Sequence, residues 1–251
     1  MNLILLFDED FVSTHEIHLK GRRFEHIKDI LKANPGKELT VGKINGLIGQ
    51  GKVLELGKNF VNIKVGNGRD RSVLGNGRDR SLLKQKPPAP LNLTLIMALP
   101  RPPMLKRTLQ CASSLGVKKI IILNFAKVEK SLWQSSMLKP EAIEQELWLG
   151  LEQAKDTILP EVILKKRFKP FVEDELPALI KGKKAFVAHP GESASLPRAG
   201  RGQVILIIGP EGGLTDFEVN LLKSKGVQAV HLGTRILRFE NVIPFCVGKM
   251  Y

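Results

Sequence analysis

Over residues 1–65 the hydrophobic positions fall in short runs, continuous or alternating with polar ones. Leu3–Phe7, Glu38–Gly42, Gly51–Leu56 and Phe60–Val65 are such runs, separated by Gly, Asn and Lys, and they predict β-strands. One stretch, Arg22 to Ala33, has a different period. Phe24, Ile27, Ile30 and Leu31 stand at i, i+3, i+6 and i+7, which is one face of a helix. Asn34-Pro35-Gly36 ends it with turn residues. A small barrel carrying one helix fits this pattern.

From Leu91 onward the pattern changes. Leu91–Leu99, Lys118–Leu123, Glu161–Lys166, Lys184–His189, Gln203–Gly209 and Val227–Leu232 read as strands of the buried type. Helices are predicted between them at Met104–Leu115, at Pro140 to about Ile158 and at Thr215–Lys225, with a short one at the C-terminal end. Alternating strands and helices predict a mostly parallel sheet covered on both faces. The two regions are joined by Lys86-Pro87-Pro88-Ala89-Pro90, a linker composition, so the domains are expected at 1–86 and 87–251. Just before it, Asn67-Gly-Arg-Asp-Arg-Ser-Val-Leu is repeated as Asn76-Gly-Arg-Asp-Arg-Ser-Leu-Leu. Two copies are too few for a solenoid. They read as a duplicated surface hairpin or linker, or as an arginine-bearing loop that touches RNA phosphate.

Charge adds a partner class. Lys and Arg number 39 against 25 Asp and Glu, a net charge of +14 carried by both regions, which favours a polyanion such as nucleic acid over a merely soluble basic surface. No apolar run is long enough to span a membrane. The N-terminus turns acidic at Asp8, unlike a signal peptide. Cys111 and Cys246 make neither a disulfide framework nor a zinc site, and the five histidines show no metal-ligand spacing. A cytoplasmic protein without metal is expected.

Ligands of open α/β sheets bind beyond the C-terminal ends of the strands. Three strands end in conspicuous loops: Ala188–Glu192, Ile208–Gly213 and His231–Arg238. The middle one, Gly209-Pro210-Glu211-Gly212-Gly213, lets the backbone approach a ligand closely. Thr215 follows as a helix N-cap with Glu218 completing a capping box. No phosphate-cradle motif is present. Glu211 would repel phosphate but suits a sulfonium or amino group, which points to a zwitterionic cofactor. Taken alone, the loop could equally be a tight strand–helix turn. His189 and His231 end strands beside it, and each either lines a cofactor pocket or is structural.

The run Ile208-Gly-Pro-Glu-Gly-Gly-Leu-Thr-x-x-Glu218, followed by Leu232-Gly-x-Arg-Ile-Leu-Arg-x-Glu240, resembles the signature of the ribosomal RNA small subunit methyltransferase E family, within the SPOUT superfamily. Gln110–Val117, Glu152-Gln153 with Pro160-Glu161, and His26–Lys32 with Pro35-Gly36 resemble weaker family segments, so the resemblance spans almost the whole chain. It implies an α/β fold: a PUA-like N-terminal β-barrel that binds RNA and a C-terminal SPOUT domain with a deep trefoil knot. It implies S-adenosyl-L-methionine as cofactor, a homodimer, and methyl transfer to N3 of a uridine in 16S rRNA of the small ribosomal subunit. The cofactor residues it implies are His189, Pro190, Ile208, Gly209, Pro210, Glu211, Gly212, Gly213, Leu232, Gly233, Ile236 and Leu237. Arg238, Arg235 and Glu240 are the catalytic candidates, with Arg238 preferred for stabilising an imide anion or else pairing with Glu240 or a helix C-terminus. Arg22, Arg23, His26, Lys32 and Lys130 are candidate RNA contacts, His26 alternatively a plain surface histidine.

The sequence departs from the family pattern on the substrate side. Ser114 stands for a glutamate and Asp156 for an arginine, Lys130 takes an arginine's place in Glu129-Lys130-Ser131, and Asn241-Val242 follows Glu240 where Thr-Ala is usual. Lysine lacks the planar fork of arginine. The last helix is expected to be shorter than in relatives. The rival expectation is a non-enzymatic RNA-binding protein that keeps the fold.

Overall fold

The alternation over residues 38–65 becomes three antiparallel strands in the computed structural model, which describes residues 2–65, 83–200 and 202–251. The chain divides into two compact units: Met1–Pro88 with Leu151–Leu159, and Ala89–Gly150 with Pro160–Tyr251.

In the first unit β1 (Ile4–Leu6), β2 (Glu16–Lys20), β3 (Glu38–Lys43), β4 (Ile48–Leu56) and β5 (Phe60–Val65) form one sheet, ordered β1-β3-β4-β5-β2. β1 runs parallel to β3 and the other pairs are antiparallel. β2 has no counterpart among the expected strands, although Ile17 and Leu19 point inward between the outward Glu16, His18 and Lys20. The expected helix at 22–33 is replaced by α1 (Gly21–Glu25) running into a π-helical turn, His26–Ile30. That turn bonds i to i+5, as between the Leu31 N–H and the His26 carbonyl. The wider winding breaks the 3.6 period. Phe24 and Ile27 reach the core, while Ile30 is left 68% exposed. The duplicated segment lies outside the described residues except for Leu83, which is buried in this core.

Residues 151–159 also belong to the first unit, although the division read from composition leaves them with the second. The backbone N–H groups of Asn2 and Leu3 both donate to the Glu152 carbonyl, and the Asn45 N–H donates to that of Thr157. Gly42 has no side chain because Thr157 fills the space: a Cβ there would sit 2.6 Å from its Cγ2. The side chain of Glu152, fully buried, accepts two hydrogen bonds from Arg22 at 2.8 and 3.1 Å.

In the second unit β6 (Leu93–Ala98), β7 (Lys119–Leu123), β8 (Glu161–Lys165), β9 (Lys184–Ala188), β10 (Val204–Ile208) and β11 (Gln228–Val230) form an all-parallel sheet ordered β11-β9-β10-β6-β7-β8. Every residue of β10 is buried, as its unbroken apolar run requires. The helices are α2 (Pro102–Ser114), α3 (Pro140–Ala154), α6 (Asp216–Ser224) and α7 (Phe239–Met250). α2 starts on two prolines, which suit a first turn that needs no N–H partner. α3 ends earlier than expected because Lys155 adopts φ 54°. The segment between β8 and β9, left without an element in the sequence reading, winds as α4 (Phe168–Pro170), a π turn and α5 (Leu176–Ile180). α7 is 12 residues long with Pro244 inside it. α2 and α3 pack closely at Gly150, where a Cβ would lie 2.4 Å from the Gln110 carbonyl oxygen. Both thiols are free, and burial pushes that of Cys246 up to about 12.

Candidate functional site

Because the six strands run parallel, their C-terminal ends share one edge of the sheet. The loops leaving β9, β10 and β11 enclose a cavity of about 630 Å³ on that edge. This volume falls within the range of small-molecule sites, about 300–1,000 Å³.

Glycine shapes the wall. Gly209 leaves β10 so close to Leu214 that a Cβ would lie 2.8 Å from its side chain. Gly213 turns at φ +75° and Gly233 at +137°, conformations that side chains oppose. The loop is then anchored by Thr215 and Glu218. The expected capping box is present: the Thr215 Oγ1 accepts from the Glu218 N–H, and the Glu218 carboxylate accepts from the Thr215 N–H at 2.8 Å. The other Glu218 oxygen accepts from the Ala126 N–H at 2.7 Å, on the loop after β7. One buried carboxylate therefore fixes two loops. Glu218→Gln turns one acceptor into a donor and is expected to cost about 1–3 kcal/mol of stability. Urea unfolding measures it, and a loss of only a few tenths would mean the loops are held by other contacts.

His189, Pro190, Ile208, Gly209, Pro210, Glu211, Gly213, Leu232, Gly233, Ile236 and Leu237 all line the cavity. Gly212 does not; its carbonyl accepts from Lys127 Nζ at 2.8 Å instead. Arg235 lines the cavity, whereas Arg238 and Glu240 lie just beyond it, Arg238 as the exposed N-cap of α7. Arg238 and Glu240 form no ion pair among the described residues. Phe239 and Val242 do line the cavity, so the first turn of α7 faces it. His231 also lines the cavity, with its Nδ1 accepting from the Gly233 N–H at 3.1 Å. Glu192, the last residue of the first loop singled out in the sequence, lines the wall and pairs with Lys223, and Phe239 lines it without having been expected there. No local pattern marks Phe239.

The candidate RNA contacts of the first unit do not form a common free surface. Arg22 is bound to Glu152, and Arg23 to Asp10 and to the Leu5 carbonyl. His26 is half-buried; burial lowers its pKa, with Arg22 adding to the effect. Lys32 is exposed, as is the remaining candidate, Lys130 of the second unit. Beside the cavity, Arg101 pairs with Glu129, and that hydrogen bond holds its pKa above the ordinary value, with a lesser contribution from Glu211. Among the described residues there is no acidic, histidine or cysteine cluster fit to hold a metal ion, and no helix is long and apolar enough to cross a membrane.

A family model described as "RNA methyltransferase domain" matches residues 87–250. The chain is 30% identical to the ribosomal RNA small subunit methyltransferase E of Treponema pallidum, over 96% of this chain and 87% of that protein. It is 25% identical to the ribosomal RNA small subunit methyltransferase E 1 of Borreliella burgdorferi, over 96% and 93%. Among solved structures it is similar to a ribosomal RNA small subunit methyltransferase E from Neisseria gonorrhoeae bound to S-adenosyl methionine. There the TM-score is 0.72 at 19% identity, over 99% of this chain and 95% of that one. The likeness to that structure is one of fold.

Proposed function

This chain belongs to the ribosomal RNA small subunit methyltransferase E family, and on that premise we propose that it transfers a methyl group from S-adenosyl-L-methionine to N3 of a uridine in 16S rRNA. The observation that carries this reading is the cavity at the ends of β9, β10 and β11, walled by glycine backbone. Its size suits the cofactor. The exposed carboxylate of Glu211 suits a cation, since Glu192 is already drawn to Lys223. The backbone groups of Ile208, Gly209, Gly213, Leu232, Ile236 and Leu237 would hold adenine and ribose. S-adenosylmethionine supplies an electrophilic methyl group on a sulfonium.

The protein must hold the uracil in line and help N3 lose its proton. Arg238 and Arg235 supply positive charge where the imide anion develops. The N-terminus of α7, with no side-chain cap, favours the same charge. In this reading the first unit is a PUA-like RNA-binding barrel and the C-terminal segment is threaded as a trefoil knot. The enzyme works as a cytoplasmic homodimer on the small ribosomal subunit or its RNA.

The test is direct. The full chain is titrated with S-adenosylmethionine by calorimetry with a chelator present, then incubated with small-subunit rRNA whose nucleosides are analysed by mass. Saturable binding and a new N3-methyluridine are expected. Binding of RNA without binding of the cofactor at millimolar concentration would favour a non-enzymatic RNA-binding protein instead.

A further inference from the structure

The parallel sheet has a second half. The cavity occupies the ends of β11, β9 and β10, while the ends of β6, β7 and β8 lie on the same edge. We infer that the loops leaving β7 and β8, with Lys127, Lys130, Trp133, Lys166, Arg167 and Lys169, form a surface that binds single-stranded RNA next to the cavity. The inference rests on the methyltransferase reading for its substrate class, and the surface itself is read from contacts.

Hydrogen bonds join the loops that carry these residues. Lys127 donates to the carbonyl of Gly212, so the β7 loop abuts the glycine loop of the cavity. Asn124, at the end of β7, is the centre of the rest. Its N–H donates to the Lys165 carbonyl at 2.9 Å and its side-chain amide to that of Lys166 at 3.3 Å. Its side-chain oxygen accepts from the indole N–H of Trp133 at 2.9 Å. Beneath, Phe125 and Phe168 pack with ring centroids 5.1 Å apart. The surface is thus preformed, and β8 stands three strand spacings from β10, about 14 Å at the usual separation.

Its charge is largely uncompensated. The run Lys165-Lys166-Arg167-Phe168-Lys169 holds four cations in five residues. Lys165 is paired with Glu175 at 2.7 Å, and Lys169 reaches Glu173 only at 3.9 Å. Lys130, Lys166 and Arg167 are exposed and make no ion pair among the described residues. The nearby Glu129 is taken by Arg101. Cations that track a backbone, beside an aromatic ring on which a base can stack, are the usual means of holding single strands. Trp133 is half-exposed and fixed by its N–H. A nucleotide whose base enters the cavity would lead its neighbours across this edge. An RNA partner is therefore favoured over a protein or a lipid surface.

The test compares two variants of equal charge change in the full chain. K166E/R167E alters the surface. K181E/K184E alters exposed lysines, one of them starting β9 at the opposite edge of the sheet. Affinity for a labelled single-stranded RNA oligonucleotide is measured over a range of salt, with S-adenosylmethionine affinity and melting temperature as controls. K166E/R167E is expected to bind RNA at least about ten-fold more weakly, with a salt slope smaller by roughly 1.4, that is about 0.7 for each lost phosphate contact. Cofactor affinity should not change. Trp133→Ala should cost about five- to hundred-fold in RNA affinity and Trp133→Phe, which keeps a ring, far less.

If K166E/R167E bound RNA no worse than K181E/K184E, the surface would be overturned, even in a protein that methylates rRNA. If the native chain bound RNA through these residues yet transferred no methyl group, the surface would stand and the function would fall. Absence of any RNA binding by the native chain would remove both.

Discussion

Arg238→Ala is expected to lower the turnover number about 10²- to 10³-fold while leaving the affinities for cofactor and RNA nearly unchanged. Uracil N3 is a weak acid, so negative charge on the imide appears only as its proton departs, and it is spent as the N–CH3 bond forms and the sulfonium becomes a neutral thioether. A cation placed for that moment contributes to the transition state and little to the ground state, so its loss appears in kcat rather than in binding. Arg238 is free to act this way. It is exposed, makes no ion pair among the described residues and caps the helix whose first turn faces the cavity. Arg238→Lys should recover part of the rate, because it restores charge without the planar fork. Single-turnover kinetics at saturating cofactor and RNA separate the two effects. Unchanged turnover in Arg238→Ala would move the role to Arg235, which does line the cavity, or to backbone donors.

Arg22→Met is expected to destabilise the protein by about 3 kcal/mol, the low end for removing one partner of a buried ion pair. The partner left behind is the reason. Glu152 is fully buried, with both carboxylate oxygens directed at Arg22 and no other donor to them among the described residues. Arg22 is itself 37% exposed, so the reverse change, Glu152→Leu, leaves a cation that can still reach water and should cost less. Replacing both residues by apolar ones should recover much of the loss. Urea unfolding of the three variants reads this directly. A loss below about 0.5 kcal/mol in Arg22→Met, as for an ordinary surface position, would return Arg22 to the RNA-contact role that its charge first suggests.

The two arginines of α1 mark where sequence reading stops. A basic residue on a short helix gives no sign of whether its counter-charge is solvent, RNA or a carboxylate of its own chain. Asp10 and Glu152 became visible as partners only in three dimensions, the second of them 130 positions from Arg22. The cavity residues were legible because their chemistry is local: glycine at positive φ, a threonine cap and a glutamate three residues on leave a pattern in consecutive letters. Gly212 belongs to that pattern, yet its carbonyl serves Lys127. Lys166 reads in the sequence only as the tail of a strand and Arg167 has no reading at all, since the apolar run fixes β8 but not what its end presents. The π turn at His26–Ile30 defeated a period of 3.6 for the simple reason that the backbone there has another.

The strap at residues 151–159 also sets an order of events at the ribosome. The first unit cannot close until Leu159 has been made, about seventy residues after Pro88, which at about 5–20 residues per second is a wait of several seconds. Through that interval the slot at Gly42 is open and Arg22 lacks the Glu152 carboxylate. A nascent chain in that state exposes apolar surface that a holding chaperone would recognise. For the same reason a cut in the linker at Lys86–Pro90 does not release two self-sufficient pieces: the N-terminal fragment leaves its own plug behind on the other half.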